Sequence, residues 1–345
     1  MSLPATQRAL TVAEPGRTVV LEKALPKFEP EKILVKVKAV ALNPADWKQA
    51  HYHIKLGIKP GSSLGLDFAG DIVQIGAGAE GKGFHVGDAV SGFVRAGVDP
   101  DNGAFQEYVA VFPELIWRKP ASVSYEDAAA MSIVVGTAAQ ALYYRLSLPK
   151  PWELAVTRPT PVLIWAGSTA VGLSAIQLAK LSGLRIATTA SPKNHQLLKD
   201  LGAEAVFDYR DPEAPNKIRE WAEQYGGLRY ALDCISEQGS TNLVADAFGS
   251  QSGKIIVILT PAKDQSWPAN VEVEHTLLFD VLDKSNDKDF ADIQEWYKYL
   301  PGLVEKGKVS SVPLKHWEGG LAGISEALDY LRQGKVSAEK IVLTL

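Results

Sequence analysis

The chain has few of the residues that build metal centres and disulfide frameworks. Its 345 residues include one cysteine, Cys234, and six histidines. A single cysteine excludes an internal disulfide and is typical of a reducing compartment. It also excludes a structural zinc lobe, which needs four closely spaced cysteines. Cys234 lies in an apolar run, so we expect it to be an inert core residue rather than a nucleophile.

Strong charge of one sign and long apolar runs are also absent. The 36 lysines and arginines nearly balance 40 aspartates and glutamates, and the net charge of −4 comes with no long basic run. This argues against nucleic acid as a partner. No apolar run approaches membrane-spanning length. The first residues, Met1-Ser-Leu-Pro4, lack the hydrophobic core of a signal peptide. A cytoplasmic protein without a membrane partner is therefore predicted.

What the chain does contain is one strand–turn–helix–strand segment, residues 161–194. An apolar run ends at Gly167, helical periodicity begins near Ala170, and a second apolar run ends at Thr189. This length suits a parallel crossover, and the backbone amides of a glycine turn that opens a helix can hold a pyrophosphate. We interpret the segment as the first unit of a dinucleotide-binding domain. Because Thr169 replaces a glycine of the usual fingerprint, an ordinary crossover without a ligand is the alternative.

The residues after the second strand discriminate between the two nicotinamide dinucleotides. NAD sites place an Asp or Glu there to bond the ribose 2′-hydroxyl. Here Ala190–Asn194 offers a hydroxyl, an amide and a cation, and no carboxylate. These groups suit a 2′-phosphate, so the sequence predicts NADPH over NADH. The predicted cofactor contacts in this region are Gly167, Ser168, Thr169, Ala170, Val171, Ser191, Lys193, Asn194, Tyr209, Leu259 and Thr260.

The pattern of predicted secondary structure changes near residue 125. Before it, short β-like runs split by Gly, Pro and Asp are typical of a barrel-like unit, and the alternation at 33–39 predicts one solvated strand face. After it, strands and helices alternate regularly, which predicts a doubly wound parallel sheet entered through a proline-rich link, 148–161. The predicted domains are 1–125 completed by 288–345, and 126–287.

Several short motifs follow one another at defined spacing. They are Asn43-Pro-Ala-Asp-Trp-Lys48, Gly65-Leu-Asp-Phe-Ala-Gly70, Val86-Gly-Asp-Ala-Val90, Gly136-Thr-Ala138 and Leu201-Gly-Ala-Glu-Ala-Val206. Their order resembles the medium-chain dehydrogenase/reductase superfamily over nearly the whole chain. The resemblance implies an α/β protein in which a GroES-like, β-barrel-type catalytic domain accompanies a Rossmann nucleotide-binding domain.

The positions of the catalytic zinc ligands differ from those of zinc-bearing relatives. A Cys would stand near Asn43 and a His-Glu pair where this chain has Leu66-Asp67. His51 and His53 form a His-x-His pair on what reads as a strand or loop. Without a third ligand nearby, we expect both to be solvated. The resemblance is therefore to the zinc-free branch, and no metal is predicted.

Finer details resemble the fungal trans-acting enoyl reductases of polyketide pathways. These details lie at Gly167–Val171, Thr189–Asn194, Phe207–Tyr209 and Tyr230–Ile235. The resemblance implies NADPH-dependent reduction of an α,β-unsaturated thioester, with hydride going to the β-carbon. It also implies a substrate carried by a polyketide synthase acyl carrier.

The same resemblance favours a monomer. Two prolines, Pro261 and Pro268, precede the candidate edge strand Val271–Leu278 of the nucleotide domain. Prolines and charges blunt sheet edges, which agrees with a protein that does not pair through this strand.

A metal-free reductase must stabilise the enolate oxygen with donors and then supply a proton. The resemblance places Lys48 in the active cleft, as a donor or relay that also contacts the cofactor; a plain surface lysine is the alternative. Thr137, in what reads as a helix-opening segment, would meet nicotinamide or substrate, unless it is only an N-cap. Asn43 and Asp46 are expected to order a cleft loop. Tyr52 is a weaker proton-donor candidate whose ring could simply pack.

Two other functions fit the same residues. One is an NADPH quinone or alkenal double-bond reductase that acts on small free substrates. The other is a non-catalytic NADPH-binding subunit. Turnover of a free enone or quinone against an enoyl thioester separates the first from the enoyl reductase. Tight NADPH binding without oxidation would favour the second.

Overall fold

The computed structural model describes residues 3–153, 158–262, 264–282 and 286–345. Contacts within the chain divide it into two compact units: unit 1, Met1–Ile133 with Val281–Leu345, and unit 2, Val134–Asp280. The sequence-based domain bounds, at residues 125 and 287, stay a prediction. Part of the predicted proline-rich link, 154–157, lies outside the described residues.

The strands and helices of the described residues are numbered in chain order. The strands are β1 (Thr6–Glu14), β2 (Arg17–Ala24), β3 (Ile33–Ala41), β4 (Asp67–Ile75), β5 (Ala89–Phe93), β6 (Tyr108–Val111), β7 (Ile116–Arg118), β8 (Pro161–Trp165), β9 (Arg185–Thr189), β10 (Ala205–Phe207), β11 (Tyr230–Asp233), β12 (Gly253–Val257), β13 (Val271–His275), β14 (Leu314–His316) and β15 (Lys340–Thr344). The helices are α1 (Pro44–Tyr52), α2 (Tyr125–Ala139), α3 (Ala170–Leu181), α4 (His195–Leu201), α5 (Ala214–Glu223), α6 (Ser240–Phe248), α7 (Asp287–Glu305) and α8 (Gly320–Arg332).

Unit 1 is built on one sheet with the strand order β14-β15-β3-β4-β5-β7, and β6 also pairs with β3. β1 and β2 form an antiparallel hairpin. The prediction of a solvated face on β3 is confirmed at Lys36 and Lys38, which reach solvent and alternate with the buried Val35, Val37 and Ala39. Leu34, at the preceding alternate position, is buried.

Asn43 and Asp46 are predicted to order a cleft loop, and His51 to lie on a strand or loop. Both predictions are wrong, because Pro44–Tyr52 form helix α1, which Asn43 caps from an extended conformation with a capping box to Asp46. The proline at the first helical position has a fixed φ that suits a helix start. An Asn-Pro-x-Asp sequence is therefore a helix-start signal here, although the same residues are typical of turns.

The helix-opening segment predicted at Thr137 is also wrong. Thr137 lies near the end of α2, which begins at Tyr125 and continues as a π-helical turn over Gln140–Arg145. A helical glycine such as Gly136 costs about 1 kcal/mol relative to alanine. The flanking Val135 and Ala138 are fully buried, so packing outweighs that cost.

Unit 2 contains a six-stranded sheet in the order β10-β9-β8-β11-β12-β13, and every neighbouring pair is parallel. This confirms the predicted doubly wound sheet. Its core packs aromatic residues of α5 and α6, such as Trp221 and Phe248, against β8, β11 and β12. The order reverses between β8 and β11, and ligands bind at such switch points, outside the carboxyl ends of the strands. β13 is an edge strand, as the sequence predicted.

In the part of the chain that the structure describes, none of the helices is both long enough and apolar enough to cross a membrane.

Candidate functional site

The turn between β8 and α3 requires its two glycines. A Cβ on Gly167 would overlap the Thr188 hydroxyl, and one on Gly172 would lie 2.6 Å from the Ala166 carbonyl oxygen. Ala166 itself adopts a φ of 61°, which is unusual for a residue other than glycine. Such backbone strain persists only where the surroundings fix it, and it is frequent at ligand sites.

Threonines hold this strained turn in place. The Ala166 amide donates to Thr189 Oγ1 at 2.8 Å, and the Gly167 amide donates to the Thr189 carbonyl at 2.9 Å. Thr169 is the N-cap of α3: its Oγ1 accepts from the Gly172 amide at 3.1 Å and donates to the Ala166 carbonyl at 2.9 Å. The residue that departs from the usual glycine fingerprint therefore has a capping role.

The first amides of α3 suit an anion. Ala170 and Val171 are half-buried at the helix start, where backbone amides have no acceptor one turn earlier in the helix. They add to the positive end of the helix dipole. The turn therefore fits the pyrophosphate of a dinucleotide, and the ordinary crossover without a ligand is the weaker interpretation.

The predicted 2′-phosphate residues lie at the carboxyl ends of two neighbouring strands. Ser191, Lys193 and Asn194 follow β9, while Tyr209 follows β10 and is 46% exposed. The two ends are joined by the Ala190 amide, which donates to the Phe207 carbonyl at 2.9 Å. The structure thus brings these four residues to one corner of the sheet.

Sequence reasoning missed Arg210 in this corner. Its guanidinium pairs with Asp208 at 2.7 Å and lies 5.7 Å from the Tyr209 ring centre. The hydrogen bonds from Arg210 lower the pKa of Asp208 to about 2. The carboxylate nearest to Tyr209 in sequence is therefore balanced by a cation, which reduces its repulsion of a phosphate. An Asp-Tyr-Arg sequence directly after a strand was the available signal.

A second missed residue is Asp233, at the end of β11. Its fully buried carboxylate accepts from the amides of Ile235 and Ser236 and from the hydroxyls of Ser240 and Thr241. This fixes the loop after β11.

The fixed loop in turn supports the end of β12. Ser236 Oγ donates to the Asp233 carbonyl and accepts from the Ile258 amide at 2.9 Å. Leu259, half-buried, and Thr260, exposed, follow directly at the carboxyl edge of the sheet. The predicted cofactor contacts after β12 therefore lie at the same edge as the glycine turn.

Cys234 lies on this edge but is buried, and burial raises the pKa of its thiol well above the usual range. It has no features of an activated nucleophile.

Thr137 is 8% exposed and lies one helical turn before Gln140. Gln140 Oε1 accepts from the Thr276 hydroxyl at 2.7 Å, while Gln140 Nε2 is buried without a hydrogen-bond partner among the described residues. Thr137 and Gln140 belong to unit 2, whereas the other catalytic candidates belong to unit 1.

In unit 1, a fully buried polar cluster closes the start of α1. The Asn43 amide donates to Asp46 Oδ2 at 2.6 Å, and Asn43 Nδ2 donates to Asp67 Oδ2 at 2.9 Å. Lys340 donates to the same Asp67 oxygen at 2.6 Å, and the Ile133 amide donates to Asp67 Oδ1. Asp67 is 0% exposed and Lys340 is 3% exposed at the side chain, so this is a buried ion pair.

Asp46 is the second carboxyl of this cluster. Burial, and secondly the nearby charge of Asp67, raise its pKa to about 8, against the hydrogen bond from the Asn43 amide and the charge of Lys340. Asp46 Oδ1 has no hydrogen-bond partner among the described residues. A protonated Asp46 reduces the cluster to one carboxylate and one ammonium.

Helix α1 carries all three unit 1 candidates. Asn43 caps it, Lys48 is half-buried with its ammonium 5.8 Å from the Trp47 ring centre, and Tyr52 at its last residue is 47% exposed. The Tyr52 ring also packs 6.2 Å from that of Trp47.

The expectation that both histidines are solvated is wrong for His53. This residue is 1% exposed, with Nδ1 3.4 Å from the Ala50 carbonyl, because it caps the end of α1. His51 is half-buried in the last turn of the same helix.

The cluster does not fit a zinc ion. Asp67 already receives three donors, one of them an ammonium, and Asn43 offers an amide where a thiolate would be needed. Over residues 3–153, 158–262, 264–282 and 286–345, no group of three or more His, Cys, Asp or Glu side chains is placed to hold a metal ion.

Comparison with known proteins gives matches to both parts of the chain. Residues 29–121 match the family model described as alcohol dehydrogenase GroES-like domain, and residues 170–278 match the model described as zinc-binding dehydrogenase. The chain is 38% identical to trans-enoyl reductase ACTTS2 of Alternaria alternata, over 98% of each chain. It is 35% identical to trans-enoyl reductase FSL5 of Gibberella zeae, over 99% of this chain and 98% of that one.

Solved structures show the same architecture. An alcohol dehydrogenase superfamily protein from Novosphingobium aromaticivorans superposes with a TM-score of 0.81 at 25% identity, covering 98% of this chain and 99% of that one. The JamJ enoyl reductase superposes with a TM-score of 0.76, also at 25% identity and the same coverage.

Proposed function

Because the chain belongs to the trans-enoyl reductase family of the medium-chain dehydrogenase/reductase superfamily, we propose that it reduces the carbon–carbon double bond of an α,β-unsaturated polyketide thioester with NADPH. The observation that carries this proposal is the 38% identity to a trans-enoyl reductase over 98% of both chains. The motifs that resemble this family are spread over both units, so the match does not rest on the nucleotide domain alone.

The cofactor of the family is a nicotinamide dinucleotide, and the choice of NADPH is our proposal. It is supported by the carboxylate-free segment after β9 and by the Arg210 ion pair that balances Asp208. Gly167, Ser168, Thr169, Ala170 and Val171 would hold the pyrophosphate, chiefly through backbone amides. The residues proposed for the 2′-phosphate are Ser191, Lys193, Asn194 and Tyr209.

Bound NADPH supplies hydride to the substrate β-carbon. The protein must then stabilise the negative charge that develops on the thioester carbonyl oxygen. We assign this role to the Lys48 ammonium, which can also relay a proton towards the α-carbon. Asn43 keeps the start of α1 fixed through its bonds to Asp46 and Asp67. Tyr52 is the second proton-donor candidate. Thr137, Leu259 and Thr260 would contact the nicotinamide half of the cofactor.

The substrate is proposed to arrive on the acyl carrier of a polyketide synthase, and the enzyme is proposed to act as a monomer. The trans-enoyl reductase names of the relatives and the proline-flanked edge strand β13 support these two points.

The test is turnover of a crotonyl thioester of N-acetylcysteamine, followed by loss of NADPH absorbance. Lys48→Ala and Thr137→Ala should each lower kcat/KM, Lys48→Ala by about a hundredfold because it removes a general acid or oxyanion donor. Lys335→Ala, an exposed lysine of the same unit, should leave turnover unchanged. Full activity in both site variants would remove the residue assignment.

Two further outcomes would select the other functions. Turnover of a free enone or quinone with none of the thioester would identify a small-substrate reductase. NADPH binding without oxidation across that panel would identify a non-catalytic subunit. Binding titrations in which NADH is tighter than NADPH would overturn the cofactor assignment.

A further inference from the structure

A basic segment begins at α1 and continues into the turns after it. Residues 47–66 contain Lys48, Lys55 and Lys59 with two histidines, and no aspartate or glutamate. The whole chain has more acidic than basic residues, 40 against 36. Over the same twenty residues, an even distribution would place about two acids. The segment is therefore basic, whereas the whole chain has a net negative charge.

The same segment presents large apolar side chains to solvent. Ile54 is 72% exposed and Leu56 is 56% exposed, and Val98 of a neighbouring loop is 69% exposed. That loop packs against the segment, because a Cβ on Gly97 would lie 2.6 Å from Ile58 Cδ1. We call Ile54, Lys55, Leu56, Lys59 and Val98 together the Ile54 surface.

The backbone under this surface is hydrogen-bonded. The Leu56 amide donates to the Tyr52 carbonyl at 3.0 Å, the Gly57 amide to the Ile54 carbonyl at 3.2 Å, and the Ile58 amide to the His53 carbonyl at 2.8 Å. These bonds order the backbone that carries Ile54 and Leu56. Exposed apolar side chains beside charges of one sign are typical of protein-binding sites.

One of the two acids in the neighbouring loop already has another cation as its partner. Asp101 pairs with Lys23 at 3.0 Å, and Asp99 Oδ1 accepts from the Asp101 amide. Lys55 and Lys59 are exposed, and no ion pair engages either of them within the described ranges. No carboxylate of the described residues therefore neutralises their charges, and the Lys55 ammonium lies 5.7 Å from the Tyr52 ring centre.

We propose that the Ile54 surface docks the acyl carrier domain that delivers the thioester, through an acidic and apolar face of that domain. This rests on the proposed function, because only a carrier-borne substrate needs a docking surface. The charge of the surface selects an acidic partner, and the anionic phosphodiester of the carrier's pantetheine arm adds to the attraction. Ile54 and Leu56 supply the apolar contacts that fix the orientation of the bound carrier domain.

The test compares one acyl group on two supports: crotonyl on N-acetylcysteamine, and crotonyl on an isolated carrier domain of a fungal polyketide synthase. Wild-type enzyme should have the lower KM for the carrier-borne substrate, and this preference should shrink as salt is added. The double variant Lys55→Glu/Lys59→Glu should raise KM for the carrier-borne substrate about tenfold and leave kcat unchanged. Its KM for the small thioester should not move.

Matched variants separate docking from a general charge effect. Lys306→Glu/Lys308→Glu makes the same charge change at two exposed lysines of unit 1 and should leave both KM values unchanged. Ile54→Ser/Leu56→Ser removes the apolar part alone and should raise only the KM for the carrier-borne substrate.

Several results would overturn the docking proposal. One is equal KM values for the two supports in the wild type. Another is an equal change for both supports in Lys55→Glu/Lys59→Glu, which would indicate a substrate or folding effect. Binding to vesicles of phosphatidylserine that is lost in the double variant, with carrier turnover unchanged, would identify a membrane surface instead. Failure of the wild type to reduce either thioester would be a failure of the proposed function.

Discussion

Helices α1 and α3 both begin beside proposed site residues, and their N-termini are occupied in opposite ways. At the start of α1, the polar groups bond to other residues of the protein. Asn43 and Asp46 bond to each other, and Asn43 also bonds to Asp67, which is paired with Lys340. The start of α3 is capped by the Thr169 hydroxyl. The first helix start is thus bonded to side chains of the protein, whereas the second is the one proposed to bind a ligand anion.

The charges of the two regions differ in the same way. The α1 region keeps an ion pair and a protonated carboxyl out of water, where each depends on its partners. The α3 turn relies on backbone geometry and threonine hydroxyls. Changes of charge should therefore act most strongly at α1, and changes of shape at α3.

The largest expected effect is on the ion pair. Lys340→Met leaves the buried Asp67 carboxylate without its cation and should destabilise unit 1 by about 3–5 kcal/mol. Urea unfolding followed by hydrogen exchange in β3 and β4 measures this. Lys335→Met, an exposed lysine nearby in sequence, is the control and should stay within about 0.5 kcal/mol of the wild type. A loss below about 1 kcal/mol for Lys340→Met would show that water already reaches the pair.

The next largest effect is expected from a change in packing at the turn before α3. Gly167→Ala places a methyl group against the Thr188 hydroxyl and should destabilise unit 2 by about 1–3 kcal/mol through overpacking. It should also weaken NADPH binding about tenfold, because the amides of the turn move. Gly302→Ala meets open space and serves as the matched control. Unchanged NADPH affinity in Gly167→Ala would exclude this turn as the pyrophosphate site.

A carboxylate at the proposed 2′-phosphate site should change cofactor preference. Ser191→Asp is expected to weaken NADPH binding about tenfold and to improve NADH binding, since an acid repels the phosphate and accepts from a 2′-hydroxyl. Fluorescence titration with both cofactors gives the ratio. Ser252→Asp, before the amino end of β12 on the same sheet, should leave the ratio unchanged. If both substitutions changed it equally, the effect would come from net charge.

The smallest effect is the pH dependence of the α1 start. With a pKa of about 8 for Asp46, the folded state keeps a proton that the unfolded chain loses above about pH 4. Stability from this group is therefore full below about pH 4 and is lost as the pH rises towards 8.

Asp46→Asn is the neutral mimic of the protonated carboxyl. From about pH 7 to about pH 8 it should lose less stability than the wild type, by about 1 kcal/mol. Asp246→Asn, at an exposed carboxyl of α6, should follow the wild-type curve. Parallel curves for wild type and Asp46→Asn would mean that Asp46 is ionised in the folded protein.

The sequence predicted unit 2 well because its information is local. Strands β8 to β12 are short apolar runs bounded by glycines and prolines, and their alternation with helices leaves one type of sheet. The sequence does not predict that α1 begins at this point, because Asn, Pro and Asp, as at Asn43, Pro44 and Asp46, are typical both of turns and of helix starts. Which of the two forms depends on contacts further along the chain.

The buried cluster in unit 1 could not be predicted in this way. Lys340 and Asp67 are 273 residues apart in sequence, and nothing near either residue indicates the other. Asp233 is a similar case, because a carboxylate at the end of an apolar strand is also typical of a ligand contact. Only the two hydroxyls and two amides around it identify a structural role.

The order of synthesis adds a consequence to the Asp67–Lys340 pair. Asp67 leaves the ribosome before residues 134–280, and Lys340 leaves it after them. Until then the Asp67 carboxylate lacks its cation, and β3 lacks its neighbour β15. Residues 134–280 are continuous and have their own core. During translation we therefore expect unit 2 to fold first, and unit 1 to complete its sheet only after β15 has been synthesised.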